Sequence, residues 1–171
     1  CVTEFAGSER GVFVACDQRT EAVYYTAPSR ISSGAYCLFR AAKGEDTAVV
    51  ADLPRIAPCD FALSPITGEL ALADSWQGLA LMAPQTAHVT KISQERYRCL
   101  CYLDDGTLLA HNCDNLSMLR TDNSRERRQS SFKIEGISEY LVSMAPVDAE
   151  ASSLFCLTIS GYTFIIKPNL F

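Results

Sequence analysis

A chain of 171 residues, 48% hydrophobic and 20% charged, has the size and make-up of one compact domain. Its 15 basic and 20 acidic side chains leave a net charge of −5. That argues against a nucleic-acid partner, whose phosphates call for a basic face, and against attraction to an anionic membrane surface. No apolar stretch reaches the ~18 residues of a bilayer-crossing helix, so no membrane insertion is expected.

Taken in chain order, the sequence is a succession of short apolar runs cut by polar turns. Val2–Phe5 is a strand-like run standing alone before four similar units. The first unit, Val12–Leu38, reads VFVACD, a turn at QRT, EAVYYTAP and, after a longer polar stretch, YCL; Val49–Leu53 closes it. The second is the clearest, DFALSP-ITG-ELALADS-WQG-LALM over Asp60–Met82, closed by His88–Ile92. The third, Arg98–Leu119, is RCLCYL-DDG-TLLAHN-CDN-LSML, closed by Ser131–Ile134. The fourth, Val142–Ile166, is VSMAPV-DAEAS-SLFCLTI-SGY-TFII and has no closing run before Phe171. Helical spacing nowhere persists for three turns, while turn signals arrive every few residues. The chain therefore reads as all-β.

Placed in register at the second run, Ala22, Leu70, Leu108 and Leu154 correspond, at spacings of 48, 38 and 46 residues. These bracket the roughly 40–45 residues of a propeller blade, and short strands joined by tight turns describe one up-and-down sheet. The expected architecture is a β-propeller of about four blades, each of four antiparallel strands, at roughly 11–53, 58–93, 97–135 and 139–167, with 2–6 as an outer strand. That lone N-terminal run either completes the last blade and locks a four-bladed ring or belongs to a blade that precedes the first. Six- and seven-bladed rings are the norm among closed propellers and the chain begins at Cys1, so the expectation is a segment of a larger six- or seven-bladed ring.

Gly68-Glu69-Leu70-Ala71-Leu72-Ala73-Asp74-Ser75, followed by Gly78-Leu79-Ala80-Leu81, resembles the G-x-L-x-V-A-D-S phrase of NHL repeats and of the strictosidine-synthase and gluconolactonase propellers. Pro58–Pro65 suits the innermost strand of such a blade. The match spans about 25 residues and is partial in the third unit. WD40 repeats are more distant relatives, since their Gly-His and Trp-Asp punctuation is missing and Trp76 is followed by Gln77. The phrase also makes physical sense by itself. Leu70 and Leu72 share one sheet face, Ala71 and Ala73 keep the other thin for a neighbouring blade, and Asp74 ends the strand where it can accept from turn amides. Its counterparts are Thr26, Asn112 and Thr158.

The lactonase resemblance implies a divalent metal on the axis, held by a glutamate, an asparagine and an aspartate from different inner strands, which would suit carbonyl polarisation. At the matching positions this chain carries Val14, Ala62, Leu100 and Met144, with Asp60 the only acid nearby. No metal and no other cofactor is expected from that set. No Ser-His-Asp or Cys-His arrangement presents itself either, although His111 shares a turn with Cys113 and Asp114. A metal-dependent hydrolase or lyase of the gluconolactonase and strictosidine-synthase type, with ligands outside this segment, is the alternative.

Eight cysteines form no CxxC pair and stand at no zinc spacing with His88 or His111. Cys16, Cys99 and Cys101 fall in first strands, where reduced cysteine packs as a small hydrophobe; Cys1, Cys59 and Cys113 fall near turns and are expected to be the exposed ones. This usage points to a reducing, intracellular setting, with the cytoplasm as the expected location. The Asn115-Leu116-Ser117 sequon would point the other way, to an extracellular glycan- or ligand-binding propeller.

What remains is recognition through loops. The second-to-third turns share one rim and bring together Trp76, Gln77, Asp114, Asn115 and Tyr162, with the tryptophan as the natural contact anchor for a protein partner; its ring folded over the next blade is the competing reading. On the opposite rim Arg120–Gln129 is a charged loop. Arg127-Arg128-Gln129-Ser130 suits a basophilic kinase, with Ser130 as the modification site, and Arg125–Arg128 resembles a furin-type cleavage sequence. The sequence reading is thus a non-catalytic propeller scaffold for protein–protein contacts.

Overall fold

A computed structural model of the chain describes residues 13–29, 35–53, 58–74, 77–112, 115–120, 129–133, 141–147 and 153–167. Among these, all regular structure is strand. Four antiparallel meanders follow one another: β1 (Phe13–Asp17), β2 (Ala22–Pro28), β3 (Tyr36–Ala42) and β4 (Ala48–Leu53); then β5 (Pro58–Leu63), β6 (Leu70–Asp74), β7 (Gly78–Ala83) and β8 (His88–Ser93). The third holds β9 (Cys99–Tyr102), β10 (Thr107–His111), β11 (Asn115–Arg120) and β12 (Gln129–Lys133); the fourth holds β13 (Leu141–Pro146), β14 (Leu154–Thr158) and β15 (Thr163–Ile166). Val2–Phe5 lies outside the described residues.

The first strand of each sheet packs beside the first strands of its neighbours, β1 on β5, β5 on β9 and β9 on β13, which is the radial arrangement of propeller blades. Each sheet is too thin to bury its own faces, so the cores lie between sheets. Leu70, Leu72, Phe61 and Met82 meet Ala22, Tyr24, Leu38 and Leu53 of the first sheet. From the other face, Ala71, Ala73, Leu79 and Leu81 meet Leu100, Tyr102, Leu108 and Ala110 of the third. Cys99, Cys101, Leu109 and Leu116 then meet Leu141, Met144, Leu154 and Cys156 of the fourth. The alternation Leu-Ala-Leu-Ala in β6 is therefore two interfaces written in one strand.

One part of the sequence register needs correction. Leu70 and Leu108 face the preceding sheet, but Ala22 faces the following one, so Ala22 and Leu70 meet across an interface instead of occupying equivalent places. A one-residue offset swaps the two faces of a strand. For the same reason Thr26 does not end its strand: it pairs with Phe13 and Leu38 well inside a β2 that runs on to Pro28.

Polar contacts tie the turns together around one rim. Arg19, in the turn after β1, donates through Nη1 to the carbonyl of Ile66 in the turn after β5, at 2.8 Å. Ile66 in turn fills the space beside Gly106, with its Cδ1 3.1 Å from where a Cβ would sit. Arg19 also anchors its own turn through Asp17. Burial alone would raise that carboxyl, but hydrogen bonds from the Arg19 side chain and backbone and from Thr20 outweigh it, and Asp17 is held below the usual carboxylate range.

Candidate functional site

The second-to-third turns of the last three sheets are built alike. Asp74, at the end of β6, accepts from the Gln77 amide at 2.6 Å; Asn112, just past β10, accepts from the Asn115 amide at 2.8 Å; Thr158, at the end of β14, accepts through Oγ1 from the Tyr162 amide at 3.1 Å. A short polar side chain at the strand end thus satisfies a turn amide that the ladder leaves over. The strand-ending roles read for Asp74, Asn112 and Thr158 are those the structure displays.

These caps place Gln77, Asn115 and Tyr162 at matching points of one rim. Gln77 and Tyr162 are exposed, and Asn115, as the first residue of β11, is half-buried. Ile159, next to the cap in the last turn, is also exposed. Trp76 and Asp114 lie outside the described residues, so the five rim residues singled out from the sequence are represented by three. Ser130 lies in β12, next to Gln129, in a strand that pairs with β11; residues 121–128 of the charged loop are outside the described residues.

The inner strands present a different chemistry. Leu100 and Met144 are buried in interblade cores, Ala62 lines one, and Val14 is exposed at the end of the array. None of the four side chains carries an oxygen donor. Asp60, the nearby acid, is committed elsewhere. An extra residue in β5 at Cys59 shifts its register so that Asp60 lies opposite Ala73 and on the face toward the third sheet. There Oδ2 accepts from the Leu100 amide of β9 at 2.8 Å and Oδ1 from its neighbour Phe61 at 2.9 Å. Burial pushes this carboxyl up to about 6, against the pull of those two amides and of the Cys99 thiol. The donor set that the lactonase resemblance implies is not met by these residues. Among the described residues no group of three or more His, Cys, Asp or Glu side chains is placed to hold a metal ion.

The sulfur positions separate by location in the array. Cys99, Cys101 and Cys156 are free, buried thiols in one core, beside Met144 and Leu109. Burial, with the Asp60 carboxylate as the next cause, raises Cys99 well above the usual thiol range and Cys101 to about 12; burial alone raises Cys156 to about 11. Thiols held protonated in this way are packing groups and poor nucleophiles. Cys16, expected among the packed cysteines, is exposed, and Cys59, expected among the exposed, is half-buried at the β5 bulge. Both differences follow from position: among the described residues β1 packs beside the inner strand of one neighbouring sheet, β5, whereas β5 lies between β1 and β9.

No family model and no curated protein matches the chain. Solved structures do. A protein described as a gluconolactonase is similar with a TM-score of 0.65 at 14% identity, over 91% of this chain and 57% of its own. The nidogen–laminin complex contains a chain similar with a TM-score of 0.69 at 17% identity, over 92% of this chain and 60% of its own. Virginiamycin B lyase from Staphylococcus aureus is similar with a TM-score of 0.60 at 7% identity, over 98% of this chain and 59% of its own. This chain thus spans a little under two thirds of the length of these three structures. At such identities the likeness concerns the fold, and with radially arrayed antiparallel sheets of three or four described strands, inner strands packed side by side and cores between the blades, the chain is a β-propeller repeat protein.

Proposed function

We propose that this propeller is a non-catalytic scaffold that binds a protein partner through the rim formed by its second-to-third turns. One observation carries the reading. Three blades spend a buried or half-buried polar side chain on fixing the same turn amide, and the residues so fixed include the outward-facing Gln77 and Tyr162. Rigid presentation of an exposed aromatic lowers the ordering cost of binding, and aromatic side chains are enriched at interface hot spots. The commitment of Asp60 to backbone amides supports the same reading, since this inner-strand carboxylate is engaged in packing one blade on the next.

Replacing Trp76, Gln77 and Tyr162 together by alanine tests this. Capture of partner from the native cell extract is expected to fall by about tenfold or more, equivalent to about 1.4 kcal/mol. Gln77 and Tyr162 are exposed, and exposed substitutions usually move stability by no more than about 0.5 kcal/mol, so a Gln77→Ala, Tyr162→Ala double variant should melt with the wild type. Undiminished capture by the triple variant would remove the rim as the contact surface. Gluconolactonase and virginiamycin B lyase are among the proteins of similar fold, and a catalytic role of that kind would draw its metal ligands from residues other than these. Stoichiometric divalent metal in the natural protein would favour that alternative.

A further inference from the structure

The rim that carries the second-to-third turns also carries the link between the second and third sheets, and turn and link are packed together. A Cβ at Gly78 would press on the Ser93 carbonyl oxygen and on the Gln94 backbone, so the link leaves β8 directly against the turn that presents Gln77. At its far end the Arg98 amide donates to the His111 carbonyl at 2.8 Å, one residue before the Asn112 cap. The link therefore runs from one capped turn to the next. Between its ends it is pinned from inside: Tyr97 is fully buried, in the core that holds Ala73, Leu79 and Leu100, and donates from its hydroxyl to Glu95 Oε2 at 2.8 Å, while the Glu95 amide donates to Ser93 Oγ at 3.0 Å. With Tyr97 turned inward, the residues on either side of it, Arg96 and Arg98, are both exposed. The opposite rim has the other sign. Among the described residues Glu21, Asp104 and Asp105 are exposed in its first-to-second turns, and the basic side chain there, Arg19, is engaged by Asp17 and the Ile66 carbonyl.

We propose that the partner bound at this rim presents an acidic protein segment, whose carboxylates are taken by Arg96 and Arg98 while the side chains beside them meet the turns. The inference rests on the reading of this rim as the contact surface and adds the chemistry of what it contacts. A guanidinium binds a carboxylate through two parallel hydrogen bonds, and side chains carried on an already fixed backbone leave less ordering to be done on binding. Exposed charges of this kind act chiefly on the rate of encounter and on the choice of partner. A basic segment is repelled here and drawn to the opposite rim. Two arginines in a chain of net charge −5 match one or two carboxylates, not the row of phosphates that a nucleic acid presents.

Selection from a displayed library of short random peptides tests this. Peptides retained by the wild-type chain should be enriched in Asp and Glu over the input library. The best of them, synthesised and titrated, should bind the Arg96→Ala, Arg98→Ala double variant about tenfold or more weakly, since arginine is among the side chains whose truncation costs most at an interface. Added salt should slow its association with the wild type and do so much less with the variant. Arg96→Lys, Arg98→Lys keeps the charge without the fork and should recover part of the affinity; Lys43→Ala, Lys91→Ala, which removes equal charge from exposed positions elsewhere, should bind as the wild type does. The buried Cys99 and Cys101 should resist maleimide in every variant, reporting that the third sheet stays folded. Acidic enrichment that survives the loss of both arginines overturns the proposal, and so does enrichment without an acidic excess. If peptides of that second kind still weaken when Gln77 and Tyr162 are replaced by alanine, the rim stands as a contact surface and only its acidic partner falls; retention of no peptide at all removes both. Tighter binding of single-stranded RNA, or of a phosphoserine form of the same peptide, would overturn the proposal in favour of nucleic acid or phosphate, and self-association that disappears with the two arginines would overturn it in favour of a second copy of the chain.

Discussion

Replacing Gly78 by alanine is expected to destabilise the protein by about 3 kcal/mol, several times the cost of an ordinary exposed substitution. Gly78 opens β7 with φ at +92°, a conformation that costs an L-residue about 1–2 kcal/mol. A Cβ there would also press on the carbonyl oxygen of Ser93 and would lie 2.9 Å from the Gln94 carbonyl carbon and Cα. Every obstacle is backbone at the end of the neighbouring β8, so none can rotate away, and forced overpacking adds about 1–3 kcal/mol. Gly44 separates the two causes. Its φ is +79° but nothing lies within 4 Å of its Cβ position, so Gly44→Ala should show the strain alone, about 1–2 kcal/mol. Urea melts of the two variants decide the matter. If both alanines cost the same, the close approach at β7 and β8 does not govern this blade.

The contrast between these glycines illustrates what the sequence reveals and what it withholds. Gly78 stood in the legible phrase G-E-L-A-L-A-D-S-W-Q-G because a turn and two alternating strands are local features, fixed within a dozen residues. The strand-end caps were legible for the same reason: Asp74 and the amide it satisfies are three residues apart. Facing across a blade interface is not local. Nothing near Ala22 announces that it looks toward Leu70, since the alternation in β2 is equally consistent with either face, and only the burial of Tyr24 and Leu38 settles it. The same holds for Cys16, whose type suited a packed inner strand but which is exposed, on the face of β1 away from Ala15 and the second sheet. Of the rim, the sequence supplied the turns and their order; it supplied no distinction between an outward Tyr162 and a half-buried Asn115, because exposure there depends on how far each strand runs into its turn. Asp60 was visible as an isolated acid on an inner strand, and its partner, forty residues onward, was not.

That partner makes Asp60 the source of the second large effect. Asp60→Ala leaves the Leu100 and Phe61 amides without their carboxylate acceptor, and each buried donor so orphaned costs about 1–3 kcal/mol. Part of that loss is offset, because the variant no longer holds an ionised carboxylate in a poorly solvated place, so a net loss of about 2 kcal/mol is expected. The pH dependence identifies the cause. Folding raises this carboxyl from 3.8 to about 6, so between those values the folded state binds a proton that the unfolded state has released. Stability contributed by Asp60 is therefore complete below about pH 4 and declines as the pH rises to about 6, by no more than about 3 kcal/mol at 1.36 kcal/mol per unit and by less to the extent that water reaches the group. Asp60→Asn is the reference, since it keeps one acceptor and cannot ionise. Urea melts at pH 4.5 and pH 7 should show the wild type gaining on Asp60→Asn at the lower value. A stability difference that stays constant between the two would mean that Asp60 ionises as freely in the folded protein as in water, and that the bond between the second and third blades is not the buried, charge-sensitive contact described.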